Sequence, residues 1–119
     1  MNKTALLLAL AISGCATQNF QAAPQNYRLK GEDQPTDIKG MISFDRKACG
    51  HESMAGIYLD NRLHIKVPLD QAFSGEATGM DYKGKSTAAS CSGKRTSQAT
   101  VEVRCMVFID NERTVTLTF

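Results

Sequence analysis

The chain is 119 residues long, with 14 Lys and Arg against 12 Asp and Glu and a formal net charge of +2. That balance creates no global field selecting nucleic acid or another polyanion as partner. The length suits one small domain with a single modest core.

The first element is Met1-Asn2-Lys3-Thr4, with one cationic side chain, followed by an unbroken apolar run from Ala5 to Ile12. Small residues Ser13 and Gly14 lead to Cys15. This is the charged, apolar, small-residue order of an export signal. The run is far shorter than the roughly 20 residues that cross a hydrocarbon core. Ile12-Ser13-Gly14-Cys15 resembles the lipobox of bacterial lipoproteins. The resemblance implies a signal peptide over residues 1–14, diacylglycerol on the Cys15 thiol, cleavage before Cys15 and acylation of the new amino group. Each buried methylene of such a chain contributes about 0.8 kcal/mol, so several chains together hold stably where one binds marginally. Ala16, not Asp, follows the cysteine. By similarity to enterobacterial lipoproteins, that implies sorting to the outer membrane, with the domain in the periplasm or on the cell surface.

Residues 15–35 are rich in Gln, Asn, Ala and Pro and poor in large apolar side chains. They read as a lipidated flexible tether, with Tyr27-Arg28-Leu29-Lys30 a candidate edge strand. From residue 36 to 119 the apolar period is mostly two, which predicts an all-β antiparallel domain, a small sandwich or barrel-like fold. Ile38, Gly40, Ile42 and Phe44 alternate with Lys39, Met41 and Ser43. Ile57-Tyr58-Leu59 leads through Asp60-Asn61 to Leu63, Ile65, Val67 and Leu69, which alternate with His64, Lys66 and Pro68. That pattern is a hairpin around a short turn. A second pair is expected from Phe73 to Tyr82 and from Lys85 to Cys91, around Lys83-Gly84. In the last pair, Val101, Val103, Cys105, Val107 and Ile109 share one face. Asp110-Asn111-Glu112 turns the chain, and Val115, Leu117 and Phe119 return on one face. No helical stripe of three turns occurs, although Asp45 to Gly56 or Leu69 to Phe73 has room for a helical turn. The Asp60-Asn61 and Asp110-Asn111 hairpins read alike. Shared hairpin chemistry is the preferred explanation, and duplication the other.

With Cys15 assigned to lipid, Cys49, Cys91 and Cys105 remain, so at most one intramolecular bridge forms. An exported chain meets oxidising conditions. Cys91–Cys105 is the preferred pair because neighbouring antiparallel strands bring such residues into range. Cys49–Cys91 and Cys49–Cys105 are the alternatives. Cys49-Gly50-His51-Glu52 is the only cluster resembling a reactive site. It offers too few ligands for a closed zinc site, and a cysteine nucleophile needs an oriented base and oxyanion donors that the sequence does not display. A polar loop is the simpler reading, so no catalytic residue, metal site or cofactor is expected. Lys83, Lys85, Lys94 and Arg95 form a loosely basic stretch. No aromatic residues interleave with it in the manner of a nucleic-acid surface. The alternation ending on Phe119 is similar to the terminal strand of outer-membrane barrels, but a spanning barrel needs at least eight strands of about ten residues with aromatic girdles.

The expected function is therefore a lipid-anchored, non-enzymatic module of the cell envelope that binds an envelope or extracellular protein, as an inhibitor, assembly accessory or receptor-masking factor. No small-molecule substrate is expected. A structural lipoprotein contacting lipopolysaccharide or peptidoglycan is the alternative, and a small enzyme using Cys49 and His51 comes third.

Overall fold

A computed structural model of the chain describes residues 18–44, 53–95, 97 and 101–119. The segments that alternate in sequence become strands, because each has one apolar face that only a second layer can cover. The strands are β1 (Gln18–Gln21), β2 (Gln25–Tyr27), β3 (Thr36–Phe44), β4 (Met54–Leu59), β5 (Arg62–Pro68), β6 (Ala77–Thr78), β7 (Thr87–Arg95), β8 (Val101–Ile109) and β9 (Glu112–Thr118). Among the described residues one short helix, α1 (Leu69–Ser74), joins β5 to β6.

The first sheet runs β1-β3-β4-β5, with β2 also paired to β3, and the second runs β6-β7-β8-β9. Every pairing is antiparallel. Of the two expected forms, sandwich or barrel-like, the all-β antiparallel sandwich is what forms. The sheets are stitched along both sides. Met80 N donates to His64 O at 2.7 Å on one side, and Gln25 Nε2 donates to Thr116 O at 2.7 Å on the other.

The expected tether is corrected here. Two pieces of the expected 15–35 tether, Gln18–Gln21 and Gln25–Tyr27, are strands of the first sheet. Gln18–Gln21 pairs with the C-terminal half of β3, and Gln25–Tyr27 with its N-terminal half. Ala22 and Leu29 are buried in the core, which gives the polar segment its hold. The candidate strand at Tyr27–Lys30 falls slightly earlier, at Gln25–Tyr27.

Three two-residue turns carry positive φ at both central positions: Asp60-Asn61, Lys83-Gly84 and Asp110-Asn111. This mirror-image turn matches the right-handed twist of the flanking strands, and Asn, Asp and Gly tolerate its left-handed backbone. Asp60 N donates to Asp37 O within β3 and Asp110 N to Ser86 O just before β7, so each Asp-Asn turn closes in a similar way near the start of the first strand of its meander. Both hairpins also shift register at the same place, at Ile57/Tyr58 and at Met106/Phe108. The two β-meanders therefore share turn type, closing bond and bulge, which extends the likeness seen in the sequence.

The bulge corrects one expected core residue. Tyr58 pairs Leu63 while Ile57 pairs Ile65, so His64 is the extra residue. Ile65 stays inside at 1% exposure, and Leu63 comes to the surface at 38%. The second expected pair also differs. Leu69–Ser74 is helical, β6 keeps only Ala77–Thr78, and Tyr82–Lys85 is an isolated bridge. In exchange, β7 runs on past Cys91 to Arg95.

The core has two parts. One, near the turns, gathers residues such as Ile38, Ile57, Leu59, Ile65, Ile109 and Leu117. The other gathers Ile42, Ala55, Leu69, Ala72, Cys91, Val103 and Cys105 toward the far ends of β3 and β7. Within it, Cys91 and Cys105 oppose one another on β7 and β8 and form the preferred disulfide.

Two outcomes follow. A Cβ on Gly79 would lie 2.3 Å from His64 O and 2.5 Å from the Ile65 side chain. Backbone cannot yield as a side-chain tip can, so Gly79→Ala forces the β5–β6 seam apart and costs about 1–3 kcal/mol, read as a lower urea midpoint. Replacing Cys91 and Cys105 together by Ala releases the bridge and costs on the order of 3 kcal/mol in the same assay.

Candidate binding surface

The outer face of the first sheet carries an apolar groove, and the register of three strands explains it. Cross-strand rows place Lys39, Tyr58 and Leu63 side by side, then Met41, Gly56 and Lys66, then Ser43, Met54 and Pro68. Gly56 sits at the centre of this array without a side chain. A Cβ there would lie 3.3 Å from Leu63 Cδ1 and 3.6 Å from Tyr58 Cε1, so both side chains lean over it. Met41, Met54, Tyr58 and Leu63 wall a depression of about 130 Å³ whose floor is this glycine.

The groove continues round the β5 edge. Leu63 and Lys66 also line a second depression of about 350 Å³, together with His64, Thr78, Gly79 and Met80. Met80 is 68% exposed. A contiguous exposed apolar patch on a small protein marks a contact surface, and Met, Tyr and Leu suit one. Met is unbranched and adapts to an irregular partner. Lys66, exposed at the junction, gives the patch a cationic rim.

A hydrogen-bonded clasp at the turn end holds this face in place. Tyr82, 5% exposed, donates its hydroxyl proton to Asp60 Oδ2 at 2.5 Å. That proton being committed, the Thr36 hydroxyl is the donor in its 3.0 Å contact with Tyr82. Asp60 Oδ1 accepts from Asp37 N at 3.1 Å. His64 packs edge-on against the Tyr82 ring at 5.5 Å, and its Nδ1 lies 2.8 Å from Arg62 O. Lys83 Nζ lies over that ring, 5.3 Å from its centre. Partial desolvation pushes the Asp60 carboxyl upward, but the bonds from Tyr82 and Asp37, with Lys83 and His64 nearby, outweigh it and hold the pKa below the ordinary carboxylate value. The clasp ties the β6–β7 connection to β3 and to the β4–β5 turn.

The sequence-predicted site residues fall in different places. Cys91 and Cys105 are bridged and buried. Cys15, and the Cys49-Gly50-His51-Glu52 cluster, lie outside the described residues. The loosely basic stretch is split by the length of β7. Lys83 and Lys85 stand at the turn end, where Lys85 pairs Glu32 at 3.2 Å, and Lys94 and Arg95 stand at the other. His64, expected on a polar strand face, instead belongs to the Tyr82 clasp. Among the described residues no three His, Cys, Asp or Glu converge as metal ligands, and no helix is long and apolar enough to cross a membrane. The groove itself was missed in the sequence. Its one signal in the sequence is Met41 and Ser43 facing away from Ile42, and simple alternation puts its decisive residue, Leu63, on the same face as Ile65. No protein-family model, curated protein or solved structure matches this chain.

A depressed carboxyl has a defined signature. Because the folded pKa of Asp60 lies below its unfolded value, its contribution is complete above about pH 4 and is lost as pH falls through the folded pKa. Denaturation midpoints of the wild type therefore drop on acidification below about pH 4, and Asp60→Asn, which keeps a turn-forming residue, lowers the neutral midpoint and flattens that drop.

Proposed function

We propose that this chain is a cell-envelope lipoprotein, anchored in the outer membrane through Cys15, and that it acts as a non-enzymatic protein-binding module. The binding reading is carried by the glycine-floored groove walled by Met41, Met54, Tyr58 and Leu63. A groove of this chemistry accepts apolar side chains from a partner, with Lys66 and Ser43 at hand for polar contacts. Such contacts deliver affinity through a few buried anchors, and no reacting group has to be aligned. The anchor reading rests on Ile12-Ser13-Gly14-Cys15. An inhibitor, an assembly accessory and a receptor-masking factor all use a surface of this kind.

Gly56→Val supplies the sharpest test. It fills the groove floor from the outer face, and Leu63, which must shift a little, is an exposed flexible side chain. The core is not touched. Soluble Cys15→Ser domain used as bait in an envelope extract is expected to retain one stoichiometric protein. Gly56→Val and Leu63→Asp are expected to lose it, while Thr118→Asp, on the other sheet, keeps it. Retention unchanged in Gly56→Val contradicts the assignment. Salt-sensitive co-sedimentation with sacculi or lipopolysaccharide, indifferent to Gly56→Val, favours a structural envelope role instead. For the anchor, labelled palmitate enters the wild-type chain and not Cys15→Ser, and equal labelling of the two removes the lipid assignment.

A further inference from the structure

The direction of β3 sets the two ends of the sandwich apart. Its start, Thr36, lies at the Tyr82 clasp, and its last residue, Phe44, pairs Gln18. Nine residues of strand span about 30 Å. The chain therefore enters the domain at the end opposite the Asp60-Asn61 turn. Only Ala16 and Thr17 stand between Cys15 and Gln18. Three residue steps reach at most roughly 11 Å. A lipid on Cys15 would leave the domain almost no freedom to stand away from the bilayer or to turn its other end toward it.

That same end carries side chains suited to a lipid surface. Phe20, on β1 two residues beyond Gln18 and opposite Ile42, stands at the open edge of the first sheet near this end and is 47% exposed. Phe73, on α1 where the helix packs across the lower core against β7, is 44% exposed. Beyond Cys91, Ser92, Gly93, Lys94 and Arg95 are all exposed, and Lys94 and Arg95 lie past the row where Gly93 pairs the buried Val103. Lys94 faces Glu102 in register, but Glu102 is bonded by Arg104 Nε at 3.2 Å. Lys94 and Arg95 form no ion pair with another described residue. Aromatic side chains together with unpaired cations are the combination that settles at a headgroup boundary, where cations meet anionic phosphates.

The geometry points to this end as a bilayer-facing surface: Phe20 and Phe73 rest at the lipid interface, and Lys94 and Arg95 meet the headgroup phosphates. This inference rests on the lipidation of Cys15 proposed above. It places the three left-handed turns farthest from the membrane and leaves the Gly56 groove on a side wall, open to a partner standing beside the domain. It also replaces a freely swinging tethered module by an oriented one.

The chain has no tryptophan, so single-Trp variants report one position each. Mature lipidated protein carrying Phe20→Trp, Phe73→Trp or Arg62→Trp is reconstituted in phosphatidylethanolamine–phosphatidylglycerol vesicles containing brominated lipid. Flotation of the vesicles is scored first. Strong quenching is expected at Phe20→Trp and Phe73→Trp, and several-fold less at Arg62→Trp beside the distal turn. Reversing charge with Lys94→Glu and Arg95→Glu reduces the quenching of Phe73→Trp in these vesicles and leaves it unchanged in purely zwitterionic ones. Equal quenching at the three positions, or stronger quenching at Arg62→Trp, overturns the orientation while flotation upholds the anchor. Failure of the protein to float overturns the anchor and the orientation with it.

Discussion

Everything in this domain depends on strand register. Side chains alternate between faces with period two, so a slip of one residue would move Ile38, Ile42, Ile57 and Leu59 from the interior to the surface. The two Asp-Asn turns remove that freedom. Each is two residues long, each has a left-handed backbone at both positions, and each donates its Asp N–H to the chain at or just before the start of the preceding strand. The inward set is thereby decided on both meanders. Once both are decided, the two sheets have complementary apolar faces and close on each other along both sides. The disulfide sits within this arrangement, because Cys91 and Cys105 meet only when β7 and β8 are in their observed register.

The same constraint produces the groove. The bulge at His64 is what turns Leu63 outward while keeping Ile65 inside. It also brings His64 to the Tyr82 ring, so one extra residue serves both the clasp and the patch. The second meander has its bulge at the same place, yet Arg113 and Thr114 stand where the first has Leu63 and His64. Its outer face carries the exposed Arg104 and Arg113 beside Ser90, Ser92, Thr116 and Thr118, with Met106 and Phe108 half-buried among them. Two similar scaffolds have thus been given different outer faces, and the apolar one lies on the sheet where the chain enters.

Much of the fold was legible because its strands alternate strongly. Ile38 to Phe44, Val103 to Ile109 and Val115 to Phe119 need no tertiary information, and Asp-Asn between apolar runs is a turn with a mechanism. Three features were not legible, each for a physical reason. Gln18-Asn19-Phe20-Gln21 and Gln25-Asn26-Tyr27 have no apolar alternation, because an edge segment held by backbone pairing to β3 needs only Ala22 and Leu29 as anchors. Ser92 to Arg95 carry no strand signal, since all four are exposed and their pairing to β8 requires no apolar side chain from them. The bulge cannot be read from β5 alone, because it is a property of the pairing between β4 and β5. The groove inherited that last gap, as it is assembled from three strands around a glycine. The lipobox stands apart from all of this, as a local motif legible without any fold.

The central claim is that the Gly56 groove on the first sheet, and not the outer face of the second, meets a partner protein in the envelope. Site-specific photo-crosslinking in living cells tests it most directly, with the photoreactive residue placed at Tyr58 in one strain and at Phe108 in another. A single discrete protein adduct from Tyr58, absent from Phe108, is the predicted result. No protein adduct at Tyr58, or the same adducts from both positions, would contradict it.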